Sequence, residues 1–289
     1  MIRRFVTAVL ALASLALPID SALAKDPLAK DVFGAERMPT GGMPVAIGFY
    51  SKGCVSGAVQ LPETGPTWQA MRLSRNRNWG HPEMIGFLEG LSQAATQAGW
   101  RGLYIGDIGQ PRGGPAASGH ASHQMGLDAD IWMLPPSSLR LTPQQRETLS
   151  SVSVVNKAGT ALTQYWNPGH MAIIRAAARD RRVERIFVDP VVKVEMCATE
   201  TGDRRWLRKV RPLNAHDFHF HVRLSCPAGS ACQQQDAPPP GDGCAEAAQW
   251  IENRIHPKKA PPPDPNYRHP RSYRLSEMPK QCQAVAVAR

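Results

Sequence analysis

The sequence predicts an α+β fold: a small, mostly antiparallel sheet flanked by helices, with a proline-rich C-terminal tail tied down by disulfides. Three observations predict it. The segment Pro82 to Ala98 carries apolar residues at helical spacing, namely Met84, Phe87, Leu88, Leu91, Ala94, Ala95 and Ala98. The segment His219 to Leu224 alternates strictly between polar and apolar residues, as a half-buried strand does. Six cysteines run from Cys54 to Cys282, an even number that predicts three disulfides in an exported chain.

Export is read from the N-terminus. Arg3 and Arg4 precede an apolar run from Phe5 to about Leu17, and Ala22-Leu23-Ala24 offers small residues for cleavage ahead of Lys25. The run is too short for a membrane span of ~20 residues. Residues 1–24 are therefore expected to be a signal peptide, and no later stretch reads as transmembrane. Its removal takes away two arginines and one aspartate and lowers the net charge from +10 to +9. A basic surface suits polyanions in general and does not choose among them. Hydrophobic residues at 42% and charged residues at 20% exclude a wholly disordered chain.

Residues 25–289 read as one domain, with a core at about 45–227 and a tail at about 228–289. In the core, Pro82 suits the first helical turn and Gly99 the end. Leu103 and Ile105 suggest a strand, Gly106 to Gly119 a loop, and Asp128 to Met133 a second strand. Thr142 to Leu149 and Pro168 to Ala178 look helical, and Arg185 to Val188 extended. In the tail, Asp236 to Gly243 and Pro257 to Pro270 are proline-rich connections, because proline offers no backbone donor to a sheet. Cys226 and Cys232 are close enough to close a small loop. Cys244 and Cys282 flank the second proline-rich stretch and are expected to pin it.

Five of the nine histidines fall in two short segments, Ser118 to His123 and His216 to His221. On a strand, His219, His221 and Arg223 share one face while Phe220, Val222 and Leu224 share the core face. Asp128, Asp130 and Trp132 likewise share a face, with Ala129, Ile131 and Met133 opposite. A carboxylate on such a strand is costly without a partner, and a metal ion is one such partner. Asp128, at the strand entrance, is expected to be structural. Catalytic zinc takes three protein ligands and keeps a fourth position for water, which two histidines and one aspartate from these segments can satisfy. His120 and His123, three apart, compete for one ligand position, and the spacing does not decide between them. Neither S-x-x-K nor G-x-S-x-G occurs, and the helical H-E-x-x-H motif is absent, so common serine acylases and helical zinc peptidases are excluded. His170, His256 and His269 read as surface residues.

SGHASHQMGLDADIW (Ser118 to Trp132) and HFHVRLSCP (His219 to Pro227) together resemble the penicillin-insensitive murein endopeptidases. These belong to the group that includes lysostaphin, D-Ala-D-Ala carboxypeptidases and the sonic hedgehog signalling domain. The group's motif, H-x(6)-D followed by H-x-H, falls on His123, Asp130, His219 and His221. Asn78 to Glu83, Gln110 to Gly114 and Val188 to Pro190 are similar to the family too; Leu213 to Ala215 and the tail depart from it. The resemblance implies one Zn²⁺ per chain held by His123, Asp130 and His221. It implies His219 as base and places His216, as a second catalytic group, and His120 at the active site; Asp128 and His81 are possible further lining, with His81 equally able to anchor the first helix. It also implies the pairs Cys54–Cys282, Cys197–Cys244 and Cys226–Cys232. The expected activity is hydrolysis of D-alanyl–meso-diaminopimelyl cross-links in the periplasm. The expected partner is peptidoglycan, with no nucleic acid; oligomeric state has no signature in the sequence. Two other activities fit the same ligands: a carboxypeptidase that trims terminal D-Ala, and a non-catalytic zinc-containing peptidoglycan-binding protein. Metal storage fits poorly, because it needs no loop-rich cleft.

Overall fold

A computed structural model of the chain describes residues 26–259 and 261–288. The expected signal peptide lies outside them. The helices are α1 (Ala29–Ala35), α2 (Pro82–Gln97), α3 (Pro143–Thr148), α4 (Pro168–Arg179), α5 (Pro190–Thr199), α6 (Cys244–Ile255) and α7 (Lys280–Val287). The strands begin with β1 (Val45–Phe49), β2 (Lys52–Ser56), β3 (Val59–Gln60), β4 (Trp68–Ala70) and β5 (Trp79–Gly80). They continue with β6 (Leu103–Ile105), β7 (Asp128–Trp132), β8 (Val183–Val188), β9 (Val210–Pro212), β10 (His219–Leu224) and β11 (Ala231–Cys232).

A six-stranded sheet in the order β4-β6-β7-β10-β8-β9 organises the molecule. Its inner pairs β6/β7, β7/β10 and β10/β8 are antiparallel, and its two outer pairs are parallel. Helices α2 and α4 pack together, and α4 lies on β8. One face of the sheet thereby joins Ala129, Ile131, Phe220 and Val222 to Leu88 and Ile174 in a single core. The opposite face of β7 and β10 is left for polar side chains.

The elements sit where local chemistry puts them. His81 caps α2, Pro82 occupies its first turn, and Gly99 follows it at φ 88°. Thr142 and Gln145 form a capping box at α3, and Asn167 and His170 form one at α4. The expectation for His170 fails. It is buried, accepting from the Asn167 amide through Nδ1 and bonding the Met133 carbonyl oxygen through Nε2 at 2.7 Å. It ties α4 to the end of β7 between the rings of Trp100 and Trp166.

The tail holds more than proline-rich connections. Helix α6 buries only Ala247 and is fastened to α5 by Cys197–Cys244. Helix α7 joins Phe33 of α1 and Ile47 of β1 in a second small core, closed by Cys54–Cys282. The third disulfide links Cys226 and Cys232.

Lys193 of α5 is fully buried and donates to the Leu207 carbonyl at 2.7 Å. Burial pushes its pKa down to about 7. A lysine lowered in the folded state binds fewer protons there than in the unfolded chain, so stability rises as pH climbs from about 7 to the ordinary lysine value of 10.5. Denaturant titrations of wild type across that window should show this slope, and Lys193→Met should flatten it. Equal slopes would show that Lys193 is solvated in solution.

Candidate metal centre

The centre is built by strand register. In the β7/β10 pair, Asp130 stands opposite His221, Asp128 opposite Arg223, and Trp132 opposite His219. Directly opposed residues share a face, so all six side chains project away from the core. The loop between β6 and β7 returns His120 and His123 to the same place. Gly126 makes that return possible: it sits at φ 66°, and a Cβ there would lie 2.8 Å from the His81 backbone nitrogen. His123 itself is held at φ 65°, a conformation that costs a non-glycine residue on the order of 1–3 kcal/mol. Its backbone N–H donates to Asp128 Oδ2 at 3.1 Å, and its Nδ1 bonds the Ile108 carbonyl oxygen at 2.7 Å.

Four imidazoles surround the Asp130 carboxylate. His123 Nε2 and His221 Nδ1 are each 3.3 Å from Oδ1, His219 Nε2 is 3.6 Å from Oδ1, and His120 Nε2 is 3.3 Å from Oδ2. His123 Nε2, Asp130 Oδ1 and His219 Nδ1 are buried without a hydrogen-bond partner. Partners on the far sides fix the tautomers. A carbonyl or carboxylate only accepts, so the proton of His123 sits on Nδ1, facing Ile108. That of His221 sits on Nε2, which donates to Asp128 Oδ1 at 2.7 Å. In their neutral forms both rings thus turn a bare nitrogen towards Asp130 Oδ1. His120 differs: the one nitrogen that faces Asp130 also faces Asp107 Oδ2 at 3.2 Å, so two carboxylates share it.

Charge compensation sets Asp130 apart. Asp107 is paired with Arg75 and Arg77, and Asp128 with Arg223 at 2.7 Å. Burial alone would raise the pKa of Asp128, but Arg223 and His221 hold it far below the usual carboxylate range. Asp130 is also held well below that range against its burial, by His219, His123 and His120. No fixed cation pairs with it among the described residues. Burial lowers the pKa of His219, and burial together with neighbouring imidazoles lowers that of His216, so both rings are neutral near pH 7. Burial would lower His221 too, but Asp128 and Asp130 together outweigh it and the net shift is upward. A buried carboxylate that lacks a cation, faced by bare imidazole nitrogens, fits a divalent ion.

The structure brings together His120, His123, Asp130, His219 and His221, with Asp128 behind them. His120, His123 and Asp130 have ligand atoms mutually within 4.8 Å; His221 reaches Asp130 but is outside that mutual set. His216 lies beside the centre, its ring 4.8 Å from that of His219, with Nδ1 bonded to the Asn214 carbonyl at 2.8 Å. His81 is not brought in. Its Nδ1 accepts from the Glu83 amide, and burial keeps it neutral at the start of α2. Sequence reasoning passed over Asp107, which gathers Arg75, Arg77 and His120. Its signal was an acid between Gly106 and Gly109 just past β6. A cleft of about 300 Å³ opens onto Asp130, His120 and His219.

Fold and site together define a histidine–aspartate centre on a small mixed sheet, of the class that metallopeptidases use. The penicillin-insensitive murein endopeptidase family model matches residues 46–287, and the chain belongs to that family. A penicillin-insensitive murein endopeptidase of Haemophilus influenzae is 41% identical over 266 residues, covering 90% of each chain. One from Klebsiella pneumoniae subsp. pneumoniae is 41% identical over 250 residues, 86% of this chain and 88% of the relative. One from Citrobacter koseri is 40% identical over 279 residues, 95% and 96% of the two chains.

The two strand aspartates should separate in the metal-free protein. Asp128→Ala strands the buried Arg223 guanidinium and is expected to cost about 3–5 kcal/mol of unfolding free energy. Asp130→Asn removes a charge with no fixed cation and is expected to cost less than about 1 kcal/mol or to stabilise. Urea titrations at pH 7.5 with chelator measure both, and equal losses would contradict the charge assignment.

Proposed function

We propose that the chain is a zinc-dependent murein endopeptidase that hydrolyses D-alanyl–meso-diaminopimelyl cross-links in the periplasm after export. One observation carries this reading: the cation-free, buried Asp130 carboxylate faces two imidazole nitrogens whose protons are pinned on the opposite sides of their rings. His123 Nε2, Asp130 and His221 Nδ1 would hold one Zn²⁺. Asp128 and the Ile108 carbonyl orient the two imidazoles from behind, as partners of metal-bound histidines do. His120, whose Nε2 is already engaged by Asp107 Oδ2 at 3.2 Å, is read as lining the site beside these ligands.

When bound, zinc supplies Lewis acidity, lowering the pKa of a coordinated water and polarising the scissile carbonyl. The chain supplies the rest. His219, neutral and next to the ligands, accepts a proton as general base and returns it to the leaving amine. His216 lies beside it with its ring 4.8 Å away and, as a neutral imidazole, can offer a hydrogen bond as negative charge develops on the substrate. Among the described residues all six cysteines are in disulfides, which leaves no thiol nucleophile and suits an oxidising compartment. No helix among them is long and apolar enough to cross a membrane. The relatives are murein endopeptidases, which supports murein as the substrate class.

Cross-linked muropeptide dimers incubated with the purified protein should convert to monomers, stop with chelator and resume with zinc. His219→Ala should lower turnover roughly 10²–10⁴-fold with zinc content unchanged. His221→Ala should lose zinc, and His120→Ala should retain it. Release of free D-Ala with dimers intact would instead indicate a carboxypeptidase. Normal turnover by His219→Ala would sink the proposed role of that imidazole.

A further inference from the structure

The cleft beside Asp130 and His219 is also lined by Arg72, Arg75, Trp132 and Ser150. Its two arginines are not equivalent. Arg75 is spent on Asp107, at 3.1 Å. Arg72 pairs with no carboxylate among the described residues. Its Nη2 donates to Ser150 Oγ at 3.3 Å, and its guanidinium lies 5.8 Å over the Trp132 ring. The Trp132 indole lines the same cleft. Gly106 keeps this wall open, since a Cβ there would lie 3.1 Å from the indole nitrogen. The backbone of Arg72 is at φ 59°, ψ 48°, a left-handed conformation that a long side chain rarely adopts. A strained residue thus holds an uncompensated guanidinium beside the Trp132 indole, next to the centre.

Two buried carboxylates, Asp107 and Asp130, also line this cleft. An anionic substrate group would be repelled there unless a cation received it. Diaminopimelate acylated on one amine keeps a free carboxylate on the carbon that bears the scissile nitrogen. That is the substrate charge nearest the bond to be cut. Resting on the murein endopeptidase reading above, we propose that Arg72, assisted by the Trp132 indole N–H, determines specificity by binding this amine-side carboxylate. Arg72 is the residue suited to it, because the guanidinium fork matches a carboxylate in a bidentate manner.

The test uses two D-alanyl–diaminopimelyl peptides that differ at one group: the carboxylate beside the scissile amide is free in one and a primary amide in the other. The zinc-loaded full chain should cleave the free acid with a kcat/KM about 10- to 100-fold higher, the range of a charge-assisted hydrogen bond. The difference should lie mainly in KM. Arg72→Gln should bring the free acid down to the rate of the amide, with zinc content unchanged. Arg72→Gly, which suits the left-handed backbone, should do the same, so a folding defect is told apart from a binding one. Equal cleavage of both peptides by wild type would overturn the subsite, and so would variants that lower both rates alike. If zinc-loaded wild type cut neither peptide nor muropeptide dimers, the endopeptidase reading would fall and the subsite with it.

Discussion

Everything at the centre hangs on the register between β7 and β10. Asp130 faces His221 across the ladder, and Asp128 faces Arg223. Side chains alternate along a strand, so a slip of one residue would exchange the faces of β10. Phe220, Val222 and Leu224 would leave the core, and His219, His221 and Arg223 would enter it. Each large apolar side chain lost from the core costs about 1.5–3 kcal/mol. With three polar groups buried in exchange, the total is on the order of 10 kcal/mol, comparable with the roughly 5–15 kcal/mol stability of a whole domain. The core therefore specifies the site, although it contributes no atom to it.

What the sheet presents, the loop completes. The β6–β7 loop carries no regular element, yet its backbone is held closely. The Ile108 carbonyl sets the tautomer of His123, Asp128 receives the His123 amide, and Gly126 lets the chain turn under His81. Asp128 thus does three jobs with one carboxylate: it neutralises Arg223, orients His221 and anchors the His123 backbone. Asp130 has no such structural return. A buried acid faced only by imidazoles, next to a residue at positive φ, is the kind of local cost that folds tolerate where a ligand repays it.

Much of this was legible in the sequence, unevenly and for physical reasons. Strand β10 was found residue for residue, because its apolar and polar faces alternate without exception. Helix α2 was found to within one residue, because proline and glycine mark both ends. The position of Asp128 at the strand entrance already hinted at a supporting role. Helices α6 and α7 gave no clear signal: they bury few side chains and are fastened by disulfides and packing rather than by an apolar stripe. His170 misled because a histidine at a helix start resembles a surface cap; only the tertiary contact to Met133 buries it. Asp107, Arg72 and Arg75 could not be placed, because loop geometry alone brings them to the cleft.

The most direct test is a crystal structure of the zinc-loaded protein with anomalous data recorded on both sides of the zinc absorption edge. A single strong peak is expected among His123 Nε2, Asp130 and His221 Nδ1, with Asp128 still bonded to the far side of His221. A peak lying instead between His120 and Asp130, with His221 unligated, would contradict the account of how these two strands build the centre.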